Sequence, residues 1–307
     1  MDYRTISHFA SKWKIKERRI RVLCQEGRIE GAKKVGKTWF IREDAEKPLD
    51  KRYKLVDNLF FNDVSFTLVD AKKKKIDSYR PLSAHVNKQL KDKLTIELTY
   101  NSNAIEGNSL TLSETKVVLE NGITIKGKPL KDHLEAINHK HAIDYIEELV
   151  SNESELSEYD IKSLHYLILT GINEENAGKY RNVNVYISGA KHIPPNYLNV
   201  PIEMQILIAK YRKWKDLHPV VRACYLHGEF VKIHPFIDGN GRTARLLLNF
   251  ELIKSGYPPI IIKNEFKTEY YNALDEACTT NDYTKFIQII VDLISEAEDT
   301  YLFLLNL

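Results

Sequence analysis

The chain has 307 residues, enough for one large domain and a small companion, and 43% of them are hydrophobic, which excludes wholesale disorder. The net charge of +3 is unevenly spread: residues 1–52 hold 15 Lys+Arg against 8 Asp+Glu, a net of +7, which leaves −4 for the remainder. Cys24, Cys224 and Cys278 are too scattered for a disulfide framework or a zinc set, no apolar leader follows Met1, and no run approaches the roughly 18 apolar residues of a membrane span, so a cytoplasmic protein without a membrane partner is expected.

The basic segment comes first and reads helix, helix, hairpin. Thr5-Ile6-Ser7 can cap a short helix over His8 to Trp13. A second helix is expected from about Lys16 to Gln25, with Ile20, Leu23 and Cys24 on one face, Arg18, Arg19 and Arg21 mostly off it, and Gly27 as its stop. Residues 32–41 read as two short strands around Gly36-Lys37, and Pro48 with Asp50-Lys51-Arg52 closes the unit. Residues 3–49 resemble the small winged helix-turn-helix domains of the excisionase and MerR-like type. The resemblance implies that Arg18, Arg19 and Arg21 face DNA phosphates or base edges and that Lys33, Lys34 and Lys37 sit on the wing. The alternative is a solvated basic surface, or a module used only for packing.

Residues 53–94 read as a connector in which Lys72-Lys73-Lys74-Lys75 is a solvated tract. Val86, Leu90, Leu94 and Leu98 recur every fourth residue, giving a helix over His85 to Tyr100. Further helices are expected at 112–120, 131–150, 158–170, 202–215, 219–232, 242–255, 267–279 and 283–305, with one strand-like patch from Asn182 to Ile193. Strands do not alternate with helices and no G-x-x-x-x-G-K-[ST] run is present, so a nucleotide-binding parallel sheet is not expected. The fold class is mainly α.

The most informative stretch is HPFIDGNGRTAR, residues 234–245. Gly239-Asn240-Gly241 can turn the backbone tightly, and a helix follows, so an anion would meet free N–H groups and the positive end of the helix dipole. Arg242 and Arg245, three apart, can both hold phosphate oxygens. Asp238 suits Mg²⁺, which prefers carboxylate, phosphate and water oxygens. His234 has the right ordinary pKa to take a proton from an attacking hydroxyl.

This run resembles the Fic signature HxFx(D/E)GNGRxxR at every defined position, and the similarity extends over roughly 95–290. The resemblance implies a helical Fic core with a small β-hairpin flap, a domain over 95–307, and transfer of AMP from ATP to a Ser, Thr or Tyr hydroxyl of a target protein or of the chain itself. His234 would be the general base, Phe236 the core anchor and Asp238 the Mg²⁺ ligand. Gly239, Asn240, Gly241 and Arg242 would hold phosphates, and Arg245 the γ-phosphate. The stretch Tyr180-Arg181-Asn182 to Pro195 resembles the flap, in which Gly189, Ala190, Lys191, His192 and Ile193 would pair with an extended target segment. Tyr270 and Tyr271 resemble adenine-side aromatics, or are core tyrosines; Cys278 stands where some relatives carry an adenine-contacting Asn.

Residues 102–107, Ser-Asn-Ala-Ile-Glu-Gly, match the Fic inhibitory motif [S/T]xxxE[G/N]. Glu106 on a short helix over 100–107 would pair with Arg245 in place of the γ-phosphate, steadied by Ser102 on the same helical face. Other transferred groups, removal of AMP, and a DNA-binding regulator whose Fic domain senses nucleotide are the competing readings. Self-association is a further expectation of the family.

Overall fold

In the computed structural model the described residues, 2–48 and 58–306, fall into two units that divide between residues 55 and 56. The expected closing run Asp50-Lys51-Arg52 and the expected boundary at 52 lie outside the described residues.

The first unit is built from β1 (Tyr3–Thr5), α1 (Ile6–Trp13), α2 (Glu17–Gln25), β2 (Lys33–Val35) and β3 (Thr38–Arg42). Ile6, Phe9 and Trp13 from α1 meet Ile20, Leu23 and Cys24 from α2, and Ile29, Ile41 and Ala45 complete the core. The two expected strands are joined by a third, β1, giving the antiparallel order β1-β3-β2. Register pairs Arg4 with Ile41 and Lys34 with Trp39. Gly27 and Gly36 adopt left-handed φ of 66° and 60°, where a side chain would strain the turn. Thr5 stands at the N-cap of α1 but makes no side-chain cap bond.

The second unit is helical throughout: α3 (Thr67–Asp77), α4 (Ala84–Ile105), α5 (Leu112–Asn121), α6 (Leu130–Ser151), α7 (Glu158–Leu169), α8 (Val200–Lys213), α9 (Pro219–Ile233), α10 (Asn240–Lys254), α11 (Lys267–Thr280) and α12 (Thr284–Leu304). The centre is the pair α9 and α10, whose residues are buried almost all round, the polar Asn240, Arg242, Arg245, Asn249 and Glu251 of α10 included. Helices α6, α7, α8, α11 and α12 surround the pair. Reciprocal side-chain caps, Thr111 with Glu114 and Ser157 with Asp160, fix the starts of α5 and α7. Gly228 lets α9 close on Tyr283: a Cβ there would lie 2.4 Å from its hydroxyl oxygen.

Three expectations are corrected. The connector over 53–94 contains α3, while the helix expected from His85 is present as α4. Helix α3 packs on α12 with Val69 and Ile76 buried, because its apolar residues need a partner face. Within the lysine tract, Lys72 is not simply solvated: it pairs with Asp299 at 2.6 Å and donates to Ser295 Oγ, while Lys73 pairs with Asp77. The inhibitory segment is not a separate short helix but the last turn of α4, with Glu106 at its C-cap and Gly107 leaving at φ 95°.

The β-hairpin flap is a fourth correction. Residues 182–193 contain a turn at Ser188-Gly189 but no strand. The two arms bond to side chains instead of to each other. Asp275 Oδ1 accepts from the N–H groups of Lys191 and His192, Arg181 donates to the carbonyls of Val183 and Pro195, and Asn184 Oδ1 accepts from Tyr197 N. Val183, Tyr186 and Ile193 face outward, so no apolar face draws the arms into a sheet.

No described helix is long and apolar enough to cross a membrane.

Candidate active site

The site is assembled where α9 ends. His234 follows its last residue in a left-handed conformation (φ 48°, ψ 62°), its N–H still bonded to Phe230 O. The chain then turns back through Pro235 to Gly239 and enters α10. Asn240 cinches this loop, its amide nitrogen donating to Phe236 O and its amide oxygen accepting from Phe236 N at 2.9 and 3.0 Å. Phe236 is fully buried and stacks on His165 with ring centroids 3.6 Å apart. His165 Nδ1 accepts from Gly178 N, which leaves Nε2–H to donate to Asp238 O at 2.8 Å. Burial pushes its pKa down to about 4, in keeping with this neutral tautomer. Gly239 is required twice, by its φ of 75° and because a Cβ would lie 3.3 Å from the His165 ring.

The first turn of α10 presents free backbone N–H groups beside two arginines, the elements of an anion site. Arg242 is almost wholly buried, with Nη1 3.0 Å from Glu135 Oε1 on α6 and Nη2 3.5 Å from Asp238 Oδ1. Arg245 donates to Ser102 Oγ at 3.0 Å, Ser102 O at 2.8 Å and Glu106 Oε1 at 2.7 Å. Burial opposes its charge most, but the Glu106 carboxylate together with Tyr270 and Tyr271 outweighs that and raises its pKa. Arg242 Nε and Arg245 Nη1 remain buried donors without an acceptor among the described residues, a deficit that phosphate oxygens would meet. The Glu106 carboxylate lies directly on the helix start: a Cβ on Gly241 would sit 2.3 Å from its Oε1. It therefore stands where an anion at this N-terminus would stand.

His234 is half-buried, and burial lowers its pKa to about 4, although the Val231 carbonyl favours its protonated form. Its Nδ1 is buried without a well-formed hydrogen bond. Arg181 fixes the backbone around it: Nε donates to His234 O at 2.9 Å and the Arg181 N–H to Pro235 O. Asp238 keeps half of its side chain exposed beside the anion site, and its Oδ1 accepts from Gly239 N. Among the described residues no group of three His, Cys, Asp or Glu could hold a metal by itself.

The structure thus brings together His234, Asp238, Gly239, Asn240, Gly241, Arg242, Arg245, Ser102 and Glu106. The tyrosine pair also lies beside Arg245, with ring centres 5.2 Å apart, but the two differ in exposure. Tyr270 is buried, its hydroxyl 2.9 Å from His227 Nε2, whereas Tyr271 lies at the surface with Lys267 Nζ 5.6 Å from its ring centre. Cys278 is buried with its thiol toward Gly228 O on α9. In the flap, Lys191 and His192 are pinned by Asp275, and His192 Nε2 meets Lys232 O at 2.8 Å; Gly189, Ala190 and Ile193 complete the exposed loop. In the first unit Arg18, Arg19, Lys33, Lys34 and Lys37 are exposed, but Arg21 is held by Glu17 at 2.7 Å and Lys33 Nζ lies 3.6 Å from the centre of the Tyr3 ring. Sequence reasoning missed Glu135, His165 and Asp275, and placed Arg181 in the flap-like stretch without a role. A signal for Glu135 was present: with His139 it forms an i, i+4 polar pair on the same stripe of α6 as Ala136 and Ile143.

The Fic/DOC family model matches residues 155–252. The chain is 36% identical over 209 residues to the protein adenylyltransferase Fic of Drosophila persimilis, covering 66% of this chain and 40% of that protein. It is 32% identical over 252 residues to the namesake of Drosophila yakuba, covering 78% and 50%. The chain thus spans half or less of the length of these curated relatives. Among solved structures, a Fic domain containing signaling protein from Bacteroides thetaiotaomicron superposes with a TM-score of 0.72 at 29% identity, over 77% of this chain and 96% of that one. Fic-1 from C. elegans superposes with a TM-score of 0.68 at 28% identity, over 78% and 72%. With the loop from His234 to Arg245 inside the matched segment, the chain carries a Fic domain of the Fic/DOC family.

Proposed function

We propose that the chain transfers AMP from ATP to a hydroxyl of a protein, either a separate target or the chain itself, and that Glu106 restrains this transfer in the resting state. The observation that carries the reading is the convergence of a neutral imidazole, a half-exposed carboxylate, a helix N-terminus and two buried arginines within residues 234–245. The relatives named protein adenylyltransferases support the same reaction class.

In the proposed step the acceptor oxygen attacks the α-phosphorus, its proton passes to His234, the bond from the α-phosphorus to the bridging oxygen breaks, and pyrophosphate leaves. A His234 held neutral is ready to accept that proton, and the charge of the bound polyphosphate raises its basicity. Arg242 and the α10 N-terminus orient the phosphates, so catalysis is mainly positioning and charge stabilisation. Asp238 fits Mg²⁺, which is commonly held by one or two carboxylates together with substrate phosphates and water; the ion would neutralise phosphate charge. Glu106 and a γ-phosphate compete for Arg245 and for the space on Gly241.

Incubation of the full chain with labelled ATP and Mg²⁺ tests the reading. Covalent label should appear, with a mass gain of about 329 Da for AMP rather than about 80 Da for phosphate, and His234→Ala should abolish it. Label without that dependence refutes the assignment. Removal of AMP by the same site is tested with AMP-modified product in place of ATP.

A second reading concerns the first unit. Its exposed Arg18, Arg19, Lys34 and Lys37 support a winged helix-turn-helix that contacts DNA. Anisotropy of labelled duplex DNA should weaken steeply with salt, and Arg18→Glu with Arg19→Glu should remove it. Binding that persists in the double variant counts against this role. The three buried free thiols suit a reducing compartment such as the cytoplasm.

A further inference from the structure

A cavity of about 390 Å³ is lined by the flap residues His192, Ile193 and Pro195 and by residues of α8 and the end of α9. It lies in the size range of small-ligand sites. Its wall includes Ile233, the residue directly before His234, so the cavity and the candidate base share a backbone. Four charged side chains line it: Glu203 and Lys210 from α8, Glu229 and Lys232 from α9.

These charges are not equally committed. Glu229 lies 3.4 Å from both Lys210 and Lys232 and accepts from Tyr283, and Lys232 also donates to Asn281 Oδ1. Both lysines are therefore already answered. Glu203 is half-buried and makes no hydrogen bond or ion pair among the described residues, although both lysines attract it and Glu229 repels it. A partly desolvated carboxylate with unspent acceptors favours a cationic donor. An acidic guest would meet Glu203 and Glu229, and an apolar guest would bury Glu203 unpaired. The remaining walls, Ile206, Leu207 and Ile193, suit the methylene stem of a long basic side chain.

We propose that this cavity is a subsite for a lysine or arginine of the protein segment to be modified, and that Glu203 is the residue that reads it. The inference rests on the AMP-transfer reading for its biological sense, and on the cavity alone for binding.

Two measurements separate these. Arrays of Ser-, Thr- and Tyr-containing peptides bearing Arg, Leu or Glu at each flanking position are offered to the Glu106→Gly full chain with labelled ATP. Arg and Lys peptides should be preferred on one side of the acceptor. Glu203→Gln should lower kcat/KM for them about tenfold through KM, leaving the KM for ATP and transfer to Leu peptides unchanged, and Glu203→Lys should shift preference to Glu peptides. Separately, an arginine tetrapeptide without a hydroxyl is titrated into the full chain, with the amide signals of Lys191 and His192 as readout; these should shift, and fail to shift in Glu203→Gln. Transfer that ignores flanking charge, or a preference untouched by Glu203 substitution, overturns the subsite. Glu203-dependent binding with no transfer to any peptide upholds the subsite and counts against AMP transfer. If the tetrapeptide leaves both amides unmoved and no charge preference appears, the subsite is refuted.

Discussion

Replacing Glu106 with glycine should accelerate AMP transfer by a magnitude that follows from its contact. The carboxylate accepts one charge-assisted hydrogen bond from Arg245 at 2.7 Å, and its side chain is 30% exposed. Hydrogen bonds to charged groups contribute about 1.5–3 kcal/mol, which corresponds to a shift of about 10- to 150-fold in the equilibrium between covered and free Arg245. Partial exposure screens the pair, so the lower half of that range is expected. Arg245 keeps Ser102 Oγ and Ser102 O as acceptors, so it is not stranded. The assay is the initial rate of label transfer from ATP at a concentration below its KM, comparing the natural chain with Glu106→Gly and Glu106→Gln. Glycine should give the larger gain, because glutamine keeps the bulk over Gly241 while losing the charge. Adding His234→Ala should return the rate to background. A Glu106→Gly chain no faster than the natural one, with His234-dependent transfer still measurable, refutes the competition between Glu106 and phosphate.

Burial lowers the pKa of His139 and His227 to about 3 and of His165 and His234 to about 4, against an ordinary value of about 6.5. The unfolded chain therefore binds more protons across this window, and stability should be lost as pH falls from about 6.5 toward 3, with no contribution from these groups above it; thermal melts between pH 7.5 and 4.5 that do not fall contradict this. Gly228→Ala should lower Tm despite the better helix propensity of alanine, because its Cβ would lie 2.4–2.8 Å from three atoms of the buried Tyr283 side chain, and such overpacking costs about 1–3 kcal/mol. Asp275→Ala should speed amide exchange at Lys191 and His192 and raise the KM for a protein acceptor while leaving ATP binding unchanged, since its carboxylate holds both N–H groups.

Much of the fold is legible from the sequence because the signals are local. Helices such as α5, α7 and α11 begin and end within about two residues of their expected bounds, where capping side chains, Gly or the end of an apolar period punctuate the chain. The loop from His234 to Arg245 is legible for the same reason: its cinching contacts, Asn240 to Phe236 and Thr243 to Gly239, lie four residues apart. The supports that come from other helices are not. His165 reaches Asp238 across 73 residues, and Asp275 reaches the flap across more than 80. Nothing in the pattern of α7 or α11 distinguishes those side chains from an ordinary polar residue. In the flap Val183, Tyr186 and Ile193 imitate a strand, yet a strand needs either a ladder partner or a buried face, and this segment has neither.

The two arginines of the loop each face a carboxylate, but the two carboxylates differ in what removing them would do. Glu135 is 6% exposed, sits against Arg242, which is 2% exposed, and accepts from Asn108 Nδ2 at 2.9 Å. Glu106 stands at the C-cap of α4 with its side chain 30% exposed, one residue from a left-handed glycine. Moving Glu106 into water returns a charge to solvent through a short swing of the last turn. Moving Glu135 would strand a buried guanidinium, and breaking such a buried pair costs about 3–5 kcal/mol. On the proposed reading, Glu135 is the permanent countercharge that aims Arg242, and Glu106 the one that gives way to phosphate. Opposite signs follow: Glu135→Gln should lower both Tm and transfer rate, whereas Glu106→Gly should raise the rate with a smaller loss of Tm. Calorimetry and the label-transfer assay on both variants decide it. Faster transfer in Glu135→Gln would mean that Arg242, too, is being held back rather than held in place.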